Sequence, residues 1–462
     1  MNFKPELLSP AGSLKNMRYA FAYGADAVYA GQPRYSLRVR NNEFNHENLA
    51  IGINEAHEQG KKFYVVCNIS PHNAKLKTFI KDLAPIIEMK PDALIMSDPG
   101  LIMMVRDHFP DMTIHLSVQA NAINWASVKF WASQGISRVI LSRELSLDEI
   151  EEIRTHCPEM ELEVFVHGAL CMAYSGRCLL SGYMNKRDPN QGTCTNACRW
   201  SYQVEPAKED TATGQIVEYF TPQKVEVLEQ RPEPTLGEGL PTDEVMLLSE
   251  AHNPDEKMAA FEDEHGTYIM NSKDLRAVQH VERLAKMGVH SLKIEGRTKS
   301  FYYCARTAQV YRKAIDDAVA GKPFDESLMG TLENLAHRGY TEGFLRRHTH
   351  DSYQTYEYGY SLSEQQQFVG EFTGIRDGEF AEVEVKNKFE VGDNLELMTP
   401  QGNITFDLTQ MKNKKGEEIT DAKGQSHIVY IPIPTDILLD YALLMRNFKP
   451  GQDTRNPMKK VD

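Results

Sequence analysis

Through the first 300 residues, short apolar runs alternate with amphipathic stretches, and turn residues separate the two. This is the rhythm of parallel β/α units, whose strands are buried on both faces and therefore read as near-continuous apolar runs. Residues 6–9, 27–30, 63–67, 93–96, 113–117, 138–142 and 162–166 form seven such runs. An eighth, 291–295, is reached through a helical run over 274–287. Local signals agree with the rhythm. Ser13 is placed to cap a helix over 14–23 that Gly24 stops, and Ser146-Leu-Asp-Glu149 has the spacing of a capping box.

Eight strands with intervening helices predict an α/β fold, either a (β/α)8 TIM-like barrel or a doubly wound sheet. Polar residues gather at the C-terminal ends of the runs: Ser9, Asn68, Asp98, Gln119, Glu144, His167 and Arg297. Barrel enzymes carry their chemistry on that face. No Gly-x-Gly-x-x-Gly follows the first strand, where a dinucleotide fold would carry it. Both points favour the barrel.

The spacing then breaks. Residues 168–272 are far too many for a βα loop and read as an insertion. Residues 301–350 return to a helical pattern and complete a barrel domain over 1–350. From about residue 356 the pattern changes again, with β-type runs at 368–372, 381–385, 394–398 and 427–431 between turn residues. These predict a small C-terminal antiparallel β-barrel over 356–450, followed by a flexible tail at 451–462.

The 462 residues are 41% apolar and 25% charged, an ordinary globular composition. No stretch approaches the roughly 20 apolar residues of a membrane span, and Met1 to Glu6 lacks the apolar core of a secretory signal, so no membrane partner and a cytoplasmic location are expected. The net charge of −14 is concentrated: residues 205–264 hold 16 acidic and four basic residues. The rest of the chain is nearly neutral, and an RNA partner stays open.

The sharpest chemical signal is Cys171-x6-Cys178-x15-Cys194-x3-Cys198, four of the seven cysteines within 28 residues. Structural zinc sites use tight C-x2–4-C pairs, a habit that only the second pair follows. Iron–sulfur clusters accept more varied spacings. Spacing alone leaves an iron–sulfur cluster, zinc or unliganded thiols. Cys67, Cys157 and Cys304 sit in apolar or helical pattern and read as buried small hydrophobes. There is no H-E-x-x-H, no G-x-S-x-G and no P-loop.

The run Glu163-Val-Phe-Val-His-Gly-Ala-Leu-Cys171-Met-Ala-Tyr-Ser-Gly-Arg-Cys178-Leu-Leu-Ser181 resembles the signature of the collagenase-like peptidases of unknown catalytic type. Glu6-Leu-Leu-Ser-Pro-Ala-Gly12, Ser117-Val-Gln-Ala-Asn121 and Lys293-Ile-Glu-Gly-Arg297 match the same family, and the likeness extends over essentially the whole chain. It implies an activity unlike the family's name: oxygen-independent hydroxylation of the wobble uridine of tRNA to 5-hydroxyuridine, linked to prephenate and to iron–sulfur biogenesis. Sister proteins act in rRNA cytidine and ubiquinone hydroxylation, the latter with 4Fe-4S clusters. The likeness bears more directly on Cys171 and Cys178 as ligands than on Cys198.

Within that resemblance the strand-end residues acquire roles. Ser117, Gln119 and Asn121 fall at period two and would share one face of a strand exit, where a hydroxyl and two amides can read a uracil edge; an ordinary polar network at the mouth is the alternative. Arg143-Glu144 and Glu295 with Arg297 pair opposite charges at strand ends, and an arginine fork suits a dicarboxylate such as prephenate; salt bridging across the rim is the alternative. His167, four residues before Cys171, suits proton relay or a structural place, and Arg34 and Arg38 suit phosphate or carboxylate contact or a solvated loop. Arg338, Arg346 and Arg347, extended by Lys386 and Lys388, form a basic stretch of the kind that contacts RNA phosphates. Three function classes follow. They are a tRNA-modifying enzyme or its component, served by an electron donor or partner protein; a peptidase; and a scaffold with a structural metal.

Overall fold

A computed structural model of the chain describes residues 3–37, 42–170, 273–337, 339–346, 366–424 and 426–448, together with the backbone of strand segments between 202 and 267. Eight parallel strands form its centre: β1 Glu6–Pro10, β2 Ala27–Gly31, β3 Lys62–Cys67, β4 Ala93–Met96, β5 Ile114–Leu116, β6 Arg138–Ile140, β7 Glu161–Ala169 and β8 Ser291–Ile294. Each pairs with the next, and β8 pairs with both β7 (Ser291 opposite Glu163) and β1 (Ser291 opposite Glu6). The sheet is therefore a closed barrel, as the rhythm predicts. Helices α1 Leu14–Ala22, α2 His46–Glu58, α3 Asn73–Glu88, α4 Pro99–His108, α5 Trp125–Ser133, α6 Leu147–His156, α7 Val281–Lys286 and α8 Phe301–Val319 follow their strands around the outside.

The alternation of side chains divides the core in two. Leu8, Ala27, Tyr29, Tyr64, Val66, Ile95, Ile140 and Phe165 fill the barrel. Leu7, Val28, Phe63, Val65, Leu94 and Met96 pack outward against the helices. The expected caps are present: Ser13 Oγ accepts from the Asn16 amide, and Ser146 with Glu149 forms the full capping box.

The run over 274–287 is not helical throughout. It opens with a strand, Asp274–Arg276, antiparallel to the end of β7, and only then turns into α7. The reason lies in β7, whose nine residues outrun their neighbour. Strand β6 reaches only Glu163, so the edge at His167 to Ala169 is open for Asp274–Arg276 to pair with.

The C-terminal part is antiparallel, as expected. A seven-stranded sheet runs in the order Gly402–Asp407, Asn394–Thr399, Leu443–Asn447, Gln366–Asp377, Phe380–Val385, Ile428–Pro432, Lys412–Asn413, and a two-stranded sheet pairs Phe389–Glu390 with Asp421–Ala422. Val369, Phe372, Val383, Leu395, Ile431 and Leu444 give it a core of its own. It docks on α1 and α8. Arg306, fully buried, reaches both carboxylate oxygens of Glu396 at 3.0 and 2.9 Å, Tyr302 stacks on Phe368, and the Tyr23 hydroxyl donates to the carbonyls of Met398 and Tyr441.

Candidate functional site at the barrel mouth

The barrel is charged low down and aromatic above. Near its N-terminal end Arg138 bridges Glu6 at 2.6 Å and Glu163 at 3.3 Å, while Lys293 holds the other oxygen of Glu163 at 2.8 Å. Burial raises the Glu6 carboxyl, but Arg138 and Lys62 outweigh it and hold the group below the usual carboxylate range. Burial lowers the Lys293 ammonium, only partly offset by Glu163. Above this network lie Tyr29 and Phe165. The Lys293 ammonium sits 4.2 Å from the centre of the Tyr29 ring and 5.4 Å from that of Phe165.

Above these rings the C-terminal strand ends bring three of the expected residues together. The Arg143 guanidinium lies 3.8 Å from the centre of the Phe165 ring and 3.1 Å from Glu295 Oε2. The Arg297 guanidinium lies 5.8 Å from the Tyr29 ring, and a Cβ on Gly31 would come within 2.8 Å of its Nη1. Glu295 is held from behind, its amide donating to the His167 carbonyl and its carbonyl accepting from the Tyr303 hydroxyl at 2.7 Å. On the other side of the mouth Asn68 approaches Ser117 Oγ at 3.4 Å and accepts from the Leu37 amide, and Ser97 donates to the Asn68 carbonyl.

Other predicted residues are placed differently. Strand β5 ends at Leu116, and Val118–Ala120 is a 3-10 turn capped by Ser117 Oγ, with Asn121 left-handed at φ 52°. Ser117, Gln119 and Asn121 thus leave the strand by a turn and do not share a strand face. His167 is fully buried and faces outward, its ring 5.4–5.8 Å from those of Tyr303, Tyr311 and Tyr340, with Nδ1 3.3 Å from the Tyr311 hydroxyl. Burial pushes its imidazole down to about 3, so it is neutral at physiological pH. Asp98 caps α4. Glu144 accepts from Ser142.

Arg34 pairs with Asp82 of α3 at 2.6 Å, and Arg346 with Glu342 at 2.7 Å. Lys386 pairs with Glu384, and Lys388 lies 4.0 Å from Glu390. Arg38, Arg338 and Arg347 lie outside the described residues, as do Cys171, Cys178, Cys194 and Cys198. Cys67, Cys157 and Cys304 are buried, and burial pushes the thiols of Cys67 and Cys304 up to about 12, so they are inert hydrophobes.

Sequence reasoning does not single out Tyr29, Phe165, Lys293 or Asn68 as a working set. Their signal is available only through alternation: within the apolar runs, every second residue from Tyr29, Phe165 and Lys293 faces the barrel axis. No helix among the described residues is long and apolar enough to cross a membrane.

Comparison with known proteins adds identity to this geometry. Over 458 residues the chain is 75% identical to tRNA hydroxylation protein P of Escherichia coli (strain K12), covering 99% of this chain and all of that one. It is 73% identical to tRNA hydroxylation protein P of Haemophilus influenzae, with 98% of each covered. The 23S rRNA 5-hydroxycytidine C2501 synthase of Escherichia coli is 28% identical over 74% of this chain and 45% of its own length. The family model for peptidase family U32 matches residues 12–355, and that for the U32 C-terminal domain matches residues 364–446. Spanning barrel and C-terminal sheets alike, these matches establish that the chain belongs to peptidase family U32.

Proposed function

We propose that this chain acts in tRNA modification, as the enzyme or an essential component of it, converting the wobble uridine to 5-hydroxyuridine by an oxygen-independent, prephenate-linked hydroxylation. The observation that carries the proposal is the likeness, along 99% of the chain, to a protein named for tRNA hydroxylation. A second relative is named for placing a hydroxyl on C5 of an rRNA pyrimidine, the same position on a related ring.

The chemistry sets the requirements. Replacing C5–H by C5–OH with water as the oxygen source releases two protons and two electrons, so an acceptor is needed. The base must also leave its stack to reach a protein pocket. The mouth suits such a guest. Phe165 and Tyr29 underlie the guanidinium groups of Arg143 and Arg297, and Asn68 and Ser117 offer amide and hydroxyl groups to a uracil edge. Arg143 and Arg297 present guanidinium groups to a dicarboxylate such as prephenate, with Glu295 fixing Arg143. Gln119 and Asn121 stand at the margin of the same mouth, and His167 acts from behind the rim through the backbone of Glu295.

Cys171, Cys178, Cys194 and Cys198 are assigned to an iron–sulfur cluster, most simply 4Fe-4S, which when bound would supply one-electron transfer. Their support comes from sequence: Cys171 follows by two residues the end of β7 at Ala169, which lies on the rim that carries the mouth. A partner protein that accepts those two electrons, rather than an electron donor, and a cytoplasmic location belong to the same proposal.

The experiment is anaerobic reconstitution of the full chain with tRNA, prephenate and an electron-accepting dye, scored by nucleoside mass spectrometry. Formation of 5-hydroxyuridine, by protein absorbing near ~400 nm, is the expected outcome. Colourless protein with stoichiometric zinc and no modified nucleoside overturns the proposal. Hydrolysis of peptides by such protein would favour the activity in the family's name.

A further inference from the structure

We propose that the cleft between the first turns of α1 and α8 is a phosphate subsite that holds the RNA backbone beside the nucleotide whose base enters the mouth. This rests on tRNA being the substrate. The cleft has a volume of about 500 Å³, within the range of small-ligand sites. Its charged lining residues are Lys15, Arg297, Lys299 and Glu43, a surplus of two positive charges in a chain of net charge −14.

Three features fit a phosphodiester. The cleft adjoins the mouth through Arg297, which borders both. Its two walls are fixed to one another, because Asn16 Nδ2 of α1 donates to the Lys299 carbonyl just before α8 at 2.9 Å. Ser13 and Ser300 cap the two helices, so the positive ends of both dipoles face the same space as the lysines. Lysine, a compact point charge on a long stem, suits a backbone that passes without fixed orientation, whereas the more enclosed Arg143 suits a planar carboxylate.

Lys15 also carries a load from the C-terminal domain. Its ammonium meets Glu371 Oε2 at 2.5 Å and lies 4.0 Å from the centre of the Phe301 ring. Lys299 lies 5.5 Å from the Tyr303 ring. Lys299 is therefore probed alone, and Lys15 together with it.

The test is tRNA binding by the full chain across a salt series, for wild type, Lys299→Gln, the double variant Lys15→Gln/Lys299→Gln, Lys299→Arg, and Lys322→Gln past the opposite end of α8. Removing one lysine–phosphate pair should flatten the slope of log K against log salt by roughly 0.7 to 0.9. The double variant should show a larger change, though less than twice, because Lys15 also pairs with Glu371. Lys299→Arg should restore the slope, Lys322→Gln should leave it unchanged, and circular dichroism should report an intact fold. An unchanged slope in the double variant, with wild type binding normally, overturns the subsite alone. A loss of prephenate affinity with tRNA binding intact overturns it too, assigning the cleft to small carboxylates. Failure of the wild type to bind tRNA at any salt removes the tRNA proposal itself.

Discussion

Glu163 is the keystone of the charges inside the barrel, and its replacement by glutamine gives a quantitative prediction. In the folded protein Arg138 and Lys293 are balanced by Glu6 and Glu163, and all four side chains are at most 10% exposed. Glu163→Gln keeps the volume and an acceptor oxygen but leaves the Lys293 ammonium without its counterion at 2.8 Å. At an effective dielectric constant of 20, a separation of that length corresponds to roughly 6 kcal/mol of attraction. Part of that offsets desolvation already incurred, so breaking the pair should cost about 3–5 kcal/mol.

Lys293 has one escape, which is to lose its proton. Releasing it at pH 7 from an ordinary lysine value caps the penalty at about 5 kcal/mol. The variant's unfolded state would then bind a proton that its folded state lacks. Its stability should therefore rise with pH between 7 and 10 and approach that of wild type. Adding Lys293→Met removes both charges, and the double variant should recover roughly 2–3 kcal/mol of the cost. Urea unfolding followed by far-ultraviolet circular dichroism measures each quantity. A Glu163→Gln cost below about 1 kcal/mol, or a double variant whose two costs simply add, would refute the electrostatic account of the barrel's interior.

Three further outcomes follow from particular residues. Arg306→Leu leaves Glu396 buried without its partner at the domain junction; it should cost about 3–5 kcal/mol and release the C-terminal domain earlier in a denaturant series, while an undiminished midpoint would show the junction to be held by Tyr302, Phe368 and Tyr23 instead. His167, whose imidazole burial pushes down to about 3, stays neutral when folded and takes a proton when unfolded, so its contribution to stability is complete above about pH 6.5 and lost as pH falls toward 3; wild type should lose stability over that window more steeply than His167→Gln, and parallel profiles would contradict this. Gly31→Ala drives a Cβ against Ser36 Oγ and Arg297 Nη1 at the mouth, and it should cost about 1–3 kcal/mol of stability and lower the proposed hydroxylation roughly tenfold or more in protein that is still folded; unaltered activity would remove Arg297 from the site.

The barrel is legible in the sequence because its strands are buried on both faces, and eight apolar runs with helical intervals admit few other folds. The same feature hides the interior charges. Ser291-Leu-Lys-Ile reads as a strand whose lysine is an exception, and only closure of the sheet shows Lys293 aimed at Glu163. Asp274–Arg276 reads as helix because three residues carry no period, and their strand state is imposed by the distant edge of β7. Gly402–Asp407 escapes for a related reason: it is an edge strand, largely exposed, with no buried alternation to mark it. At the site, Arg143 and Glu295 are recognisable as rim charges, whereas the turn after Leu116 is not, since Ser117 serves as both strand exit and cap. Lys15 and Lys299, almost 300 residues apart, become neighbours only when α1 and α8 pack together.

The proposed function requires that sulfur ligands following β7 act with the barrel mouth in hydroxylating tRNA. It is tested most directly in cells grown without oxygen whose only copy of this chain is either wild type or Cys171→Ala, by mass spectrometry of their tRNA nucleosides. 5-Hydroxyuridine should be present with the wild-type chain and absent with the variant at equal protein level. Equal amounts of the nucleoside in both would contradict it.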